Sequence, residues 1–323
     1  MSPRVVVAGA GAWGRNHVRT LHELGALAGV AEAEPRTRGL LREQYPFVPV
    51  WPSLAEAMEH ADGLVVATPA PTHAELAVQA LRGGLGVLVE KPMTLEARDA
   101  QMLVEEAGAR SQVLMVGHLL LYQPAVRELK RLLDGGAVGR ILRIDQARAN
   151  HGRVRSTENV LWSLAPHDLA VLLYLMGEAP ERIAASGAAF LQPGIHDDVH
   201  LEMAFAEGRS AHIHVAWYWP GRDRTLRVLG DRGMVVYDEQ DQTLTLHRKR
   251  LGDRLAPVDE GSEPVFQGRG EPLRLEVQHF LHCLATGGTP LSDGRSGLDV
   301  IRVLERADAQ LRRPPFLFDR RIS

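Results

Sequence analysis

Three glycines, a glutamate and a lysine have the types and spacing for chemistry. Gly9, Gly11 and Gly14 stand as G-x-G-x-x-G, with Ala12 and Trp13 between them, where the apolar run Val5-Val6-Val7-Ala8 gives way to Arg15-Asn16-His17-Val18-Arg19. In that pattern the first glycine turns the chain, the second lets backbone approach a pyrophosphate, and the third packs helix on strand. The anion sits on free N–H groups at the helix start. Glu32 ends the next apolar segment, near the roughly 20-residue offset at which a carboxylate reaches the adenosine ribose hydroxyls. A carboxylate there favours NAD over NADP, whose 2'-phosphate would meet like charge; Arg36 and Arg38, just beyond, are able to swing round to a phosphate. A glycine-rich turn with no nucleotide is the alternative.

Lys91 follows the buried-strand run Gly86-Val87-Leu88-Val89 within Glu90-Lys91-Pro92. A lysine delivered to the nucleotide edge of a sheet faces the nicotinamide, and partial desolvation lets it exchange a proton with a substrate hydroxyl. Pairing with Glu90 at a strand end is the competing reading. Further on, the polar segment Asn150 to Trp162 holds Arg153 and Arg155, a pair able to clamp a phosphate or carboxylate, and Trp162, able to stack on a sugar or base. A solvated loop is the alternative for either arginine.

These groups need elements to place them. Up to about residue 120, short apolar runs alternate with helical segments: Arg38 to Gln44, Leu54 to His60, a helix to Leu81 opened by a Thr72-His73-Ala74-Glu75 capping box, and Leu95 to Ala109. Leu64 to Ala67 and Val113 to Val116 read as strands buried on both faces of a parallel sheet. After the helix Pro124 to Leu133 the pattern changes to successive strands: Arg140 to Ala149, Arg182 to Phe190, Val199 to Phe205, Ser210 to Trp219, Thr225 to Leu229, Met234 to Tyr237 and Thr243 to Leu246. The alternation Ala211-His212-Ile213-His214-Val215 predicts a largely antiparallel sheet with one face packed and the other available. One helix, Pro166 to Met176, interrupts them; Arg250 to Gly270 reads as a mobile loop, and helices Leu273 to Ala285 and Gly294 to Leu311 close the chain. The expected domains are 1–120 and 121–323.

Bulk properties narrow the class. The 323 residues are 45% hydrophobic and 24% charged, an ordinary soluble composition. A formal net charge of −3 gives no case for nucleic acid, and the basic runs Arg248-Lys249-Arg250 and Arg312-Arg313 read as solvated faces. Cys283 is the only cysteine, so no intrachain disulfide forms, and it reads as buried in a helix. No apolar run reaches the roughly 18 residues of a membrane helix, and the N-terminus enters the first strand directly. A cytoplasmic protein without nucleic-acid or membrane partners is expected, and no metal site is read from the sequence.

The motifs Gly9 to Gly14, Thr68-Pro69 followed by His73, Glu90-Lys91-Pro92, Gly117-His118 with Pro124, and a helix containing His167-Asp168 fall in order. Over nearly its whole length the chain resembles the glucose-fructose oxidoreductase / inositol dehydrogenase / MocA (Gfo/Idh/MocA) family of NAD(P)-dependent sugar oxidoreductases, and Glu-Lys-Pro is the most specific part of the likeness. The resemblance implies an α/β chain: an N-terminal Rossmann doubly wound parallel sheet, and a C-terminal α+β domain with a large open, mostly antiparallel sheet through which a homodimer or homotetramer is built. It implies that Lys91 and His167 are catalytic. Gly9, Gly11, Ala12, Trp13, Gly14, Glu32, Thr68, Pro69, His73, Glu90 and Lys91 are then the cofactor contacts. Tyr122, Arg153, Arg155, Asn159, Trp162, Ser163 and His167 are the substrate contacts.

The implied chemistry follows from residue types. An alcohol C–H cannot lose hydride unless its O–H proton leaves too, so a base near neutrality is wanted: His167, with Lys91 orienting the oxygen. Many relatives carry an aspartate four residues before this histidine, where this chain has Ser163, which cannot hold charge. Asp168 faces elsewhere on the helix, toward either the helix N-terminus or the substrate. Glu158 to Ser163 with Pro166-His167-Asp168 is similar to a subgroup of bacterial surface-polysaccharide and amino-sugar pathways, which implies a UDP-aminosugar or its uronic acid oxidised at the 3-hydroxyl. An NAD-dependent glycosidase working by transient sugar oxidation, and a non-catalytic NAD-binding sensor, are the rival functions.

Overall fold

The computed structural model describes residues 3–312. Two compact units divide the chain, Met1–Tyr122 with Glu271–Ile301, and Gln123–Gly270 with Arg302–Ser323. Arg313 and the rest of the expected second domain's tail lie outside the described residues.

The first unit alternates strand and helix: β1 (Val5–Ala8), α1 (Gly14–Glu23), β2 (Leu27–Ala31), α2 (Pro35–Gln44), β3 (Val50–Trp51), α3 (Leu54–Met58), β4 (Gly63–Val66), α4 (His73–Arg82), β5 (Gly86–Val89), α5 (Ala97–Arg110) and β6 (Leu114–Val116). The six strands are parallel in the order β3-β2-β1-β4-β5-β6. β1, β4, β5 and β6 are buried along their whole lengths, the reason their sequences are continuous apolar runs and not alternating ones. The order reverses beside β1, so the ligand-binding crevice of such a sheet lies at the carboxyl ends of β1 and β4. The expected capping box is absent. Thr72 is in αR geometry at the end of a short 3-10 turn, Ala70–Thr72, and makes no cap; its hydroxyl donates instead to the Pro69 carbonyl at 2.8 Å.

The second unit contains α6 (Pro124–Asp134), β7 (Ile141–His151), α7 (Val160–Met176), β8 (Arg182–Ala188), β9 (Asp198–Ala204), β10 (Ser210–Ala216), β11 (Tyr218–Gly230), β12 (Met234–Asp238), β13 (Thr243–Leu251) and β14 (Pro257–Gln267). Its eight-stranded sheet runs β14-β13-β12-β11-β7-β10-β9-β8, antiparallel except for β7 with β10. Alternate residues of β9 and β10, Val199, Leu201, Met203, Ala211, Ile213 and Val215, are buried and α7 packs on both strands.

The stretch expected as a mobile loop is instead a hairpin. β13 extends to Leu251 and pairs with β14, and the charges that made it look like a loop are cross-strand partners: Arg248 with Glu263, Lys249 with Asp259, Arg250 with Glu260. Pro257, Gly261 and Pro264 are tolerated because β14 is the sheet's edge.

Two helices follow, α8 (Pro272–Thr286) and α9 (Gly294–Leu311). The expected boundary near 120 is close to the observed one, but α8 and the start of α9 belong to the first unit, not the second. The reason is packing. Phe280 is fully buried, a side chain at Gly63 or Gly86 would run into Leu284, and after α8 the Ser292 carbonyl accepts from the Val116 N–H at the free edge of β6.

Candidate functional site

The glycine loop is built by three different constraints. Gly9 has φ +86°, a left-handed conformation that favours glycine. A Cβ at Gly14 would overlap the Gly9 carbonyl oxygen, so α1 can start only if this residue is glycine. At Gly11 a Cβ would meet nothing within 4 Å among the described residues. The protein's own packing therefore accounts for Gly9 and Gly14 but not for Gly11, whose bare backbone fits the close approach of a pyrophosphate to the start of α1. Glu32, at the end of β2, braces the loop: its carboxylate accepts from the Ala10 N–H at 2.7 Å and the Glu34 N–H at 2.9 Å. Arg38 donates to the Glu32 and Ala33 carbonyls at 2.9 and 2.7 Å.

Glu90, buried at the end of β5, joins this loop to Lys91. Its Oε1 accepts from the Trp13 indole at 2.6 Å and lies 2.6 Å from His17 Nε2, while its Oε2 accepts from the Lys91 backbone N–H at 3.2 Å. Burial pushes the Glu90 carboxyl up, but the bonds from His17 and Trp13 and the charge of Lys91 outweigh it, and the group ends below its ordinary value. A side chain at Gly117 would press on that carboxylate. Lys91 is half-buried, and the Lys91–Pro92 peptide is cis.

Two more titratable groups lie buried in this unit. His118 is brought down to about 4 by burial, with Glu90 opposing and Lys91 adding to the shift. Glu276 of α8 is raised well above the usual carboxyl range by burial and then by the Glu90 charge, and neither of its oxygens has a hydrogen-bond partner among the described residues.

In the second unit α7 carries Trp162, Ser163 and His167. Asn159 caps it, accepting from the Trp162 N–H at 3.2 Å and donating to Asp308 at 3.0 Å. The helix begins at Val160, not at the expected Pro166, which lies inside it; Asn159 and the apolar Val160-Leu161 outweigh the proline as start signals. Ser163 and His167 are thus one turn apart, Ser163 buried and His167 half-buried.

Asp168, left open between helix terminus and substrate, lies past the first turn of α7 and is an ion-pair partner. It is buried and takes two bonds from Arg148 Nε, at 3.1 and 2.9 Å, while the other end of the same guanidinium grips Glu239 at 3.1 and 2.6 Å. Burial raises the Asp168 carboxyl, and Arg148 offsets part of the rise. Asp168 ties α7 to β7.

Comparison with known proteins adds what geometry alone does not give. The model of the oxidoreductase family with an NAD-binding Rossmann fold matches residues 3–118, and the GFO/IDH/MocA C-terminal domain matches residues 126–236. The chain belongs to the GFO/IDH/MocA oxidoreductase family. Members similar to it include UDP-N-acetylglucosamine 3-dehydrogenase of Acidithiobacillus ferrooxidans, 26% identical over 92% of this chain and 94% of that one, and inositol 2-dehydrogenase of Rhizobium meliloti, 24% identical over 95% and 96%. The solved structure of the former superposes with a TM-score of 0.87, covering 96% of this chain and 98% of that one at 24% identity. A chain from Magnetospirillum magnetotacticum MS-1 described as an oxidoreductase gives a TM-score of 0.81 at 31% identity, with coverage of 94% and 99%. This GFO/IDH/MocA member is accordingly an NAD-dependent oxidoreductase, with the NAD-binding Rossmann match in residues 3–118.

Within the first unit Glu32 holds Ala10 of the Gly9–Gly14 loop, Trp13 of the same loop bonds Glu90, and Glu90 bonds the Lys91 backbone N–H, while the loop after β4 holds Thr68 and Pro69. His73 is a staple: it is buried, with Nδ1 2.9 Å from the Pro92 carbonyl and Nε2 2.9 Å from the Thr68 carbonyl. It ties the loop after β4 to the Glu90-Lys91-Pro92 loop. Tyr122, expected to line the substrate pocket, is buried in the first unit with its hydroxyl 2.9 Å from Ser292 Oγ, an anchor that required α8 and α9 to be placed there. Arg153 is exposed, and Arg155, also exposed, lies 3.6 Å from Glu158. Sequence reasoning missed His17 and Glu276. The signal for His17 was present: it lies one turn beyond the third glycine, on the inner face of α1.

Proposed function

We propose that this oxidoreductase oxidises a ring hydroxyl of a sugar carried as a nucleotide sugar, with His167 as general base and Lys91 polarising the hydroxyl oxygen. Bound NAD supplies the hydride acceptor. The observation that supports this best is the Trp13–Glu90–Lys91 connection, because it fixes a lysine backbone directly against the glycine loop. The Lys91 ammonium donates to the hydroxyl oxygen and stabilises the charge that builds as its proton departs. His167 takes that proton. With Ser163 one turn before it, the position at which many relatives carry an aspartate holds no carboxylate, so no relay runs through that position.

Glu32 supports NAD over NADP, since its carboxylate repels a 2'-phosphate and Arg38 is turned to backbone carbonyls. The nucleotide sugar is supported by the end-to-end likeness to UDP-N-acetylglucosamine 3-dehydrogenase, with attack at the 3-hydroxyl, and by Arg153 and Arg155 ahead of α7, able to hold a diphosphate or uronate. A second copy of the chain covers the open sheet face, where Phe190, Tyr218 and Trp219 stand 70%, 54% and 42% exposed; such an apolar patch marks an interface.

The deciding experiment follows reduced nicotinamide by near-ultraviolet absorbance while the protein meets NAD with UDP- and dTDP-sugars and their uronates. Net NADH with a nucleotide sugar and not with its free sugar is the expected result. Aglycone release without net NADH would replace the dehydrogenase with the glycosidase, and NAD binding with neither product would leave the sensor.

A further inference from the structure

Away from the nucleotide loop, the exposed face of the second unit's sheet gathers a set of ligating side chains. Asp198 and His200 are two apart on β9 and so share a face, and His214 is directly opposite His200 on β10. His214 Nε2 lies 3.2 Å from each Asp198 oxygen, and His200 Nε2 lies 3.3 Å from Oδ1. One ligand atom from each residue falls within 4.8 Å of the others. The His200 and His214 rings stack 4.1 Å apart at 4°, and Trp219 closes edge-on against His214 at 5.3 Å.

We propose that Asp198, His200 and His214 form a site for a divalent d-block cation of the zinc type. Metal–ligand bonds of roughly 2.0–2.1 Å in a tetrahedron set ligand atoms about 3.3 Å apart, the separation found between the Asp198 carboxylate and each imidazole. Two imidazoles and one carboxylate suit zinc, cobalt, nickel or copper better than calcium or magnesium, which take oxygen ligands. Outer support is present as well. His200 Nδ1 is 3.2 Å from His212 Nε2, so a His200 that ligates through Nε2 donates its Nδ1–H to His212, which fixes the ring and its tautomer. Three protein ligands leave a fourth position for water or a small oxygen ligand, and a cavity of ≈ 670 Å³ lined in part by Ser186, Phe190, Tyr218 and Trp219 adjoins it. All three ligands come from one chain, so the site needs no second copy, and none of them takes part in the proposed hydride transfer.

The test titrates the full-length protein, stripped with chelator, with Co²⁺ alone. One Co²⁺ per chain should bind, with the visible absorption of a four-coordinate ion, and Zn²⁺ should displace it. Asp198→Asn and His214→Ala should each abolish the signal while circular dichroism stays unchanged, His212→Ala should weaken binding about 10-fold, and His247→Ala, remote on β13, should leave it intact. Absence of a stoichiometric site, or binding undiminished in Asp198→Asn, would overturn the proposal and leave the cluster as an aspartate hydrogen-bonded by imidazoles.

Discussion

Glu90 occupies a position of conflict: it is buried and ionised, with Trp13, His17 and the Lys91 backbone satisfying its oxygens. An unpaired buried carboxylate would cost several kcal/mol, and the surrounding groups adapt to avoid a second one. Glu276 keeps its proton, raised by burial and by Glu90, and His118 stays neutral to about 4. The two act on stability with opposite sign. The unfolded chain releases the Glu276 proton near the ordinary 4.5 while the folded chain retains it, so this residue removes stability as pH rises above that value. His118 is protonated in the unfolded chain near 6.5 and only near 4 when folded, so it removes stability as pH falls through that window. Glu276→Gln, which keeps shape and removes the titration, should therefore raise the unfolding midpoint by an amount that grows as pH rises above the ordinary 4.5. A pH-independent change would contradict the assignment of Glu276 as a retained proton.

At the scale of elements, the turn between β1 and α1 separates folding from binding. Gly14→Ala forces a side chain into the Gly9 carbonyl and should destabilise the first unit by about 1–3 kcal/mol. Gly11→Ala meets no protein atom within 4 Å, so it should change stability by under about 1 kcal/mol yet weaken NAD binding about 10-fold or more, read by calorimetry beside thermal melts. Equal effects of the two on stability would sink the idea that Gly11 is kept for the nucleotide. The parallel sheet was legible because burial on both faces writes itself as unbroken apolar runs, and β1, β4, β5 and β6 appear where those runs do. β14 was not: an exposed edge strand buries little, and its Gly, Pro and charges carry loop composition while the pairing that defines it lies across the hairpin. The true start of α7 was hidden by Pro166, and the role of Asp168 by Arg148, twenty residues earlier on another element.

For the whole molecule, the fold class and the order of its two halves were legible, while the return of α8 and the start of α9 to the first unit was not. That return depends on Phe280, Leu284 and Ser292 meeting β4, β5 and β6, contacts separated by more than 150 positions in sequence. Assembly is decided at this scale too. If a second copy covers the sheet face, sedimentation should give a dimer or larger species, and Trp219→Glu should shift it toward monomer while the melting curve of the nucleotide-binding domain stays in place; a monomeric wild-type protein would contradict this.

In the proposed reaction Lys91 serves the chemical step and not cofactor retention. The most direct measurement compares wild-type protein with Lys91→Ala, reading NAD affinity by fluorescence quenching and turnover of the best sugar by NADH formation. The expected results are an NAD Kd within about 3-fold of wild type and kcat/KM lower by about 10²–10⁴. Turnover at the wild-type rate, or loss of turnover wholly explained by loss of NAD binding, would contradict this role of Lys91.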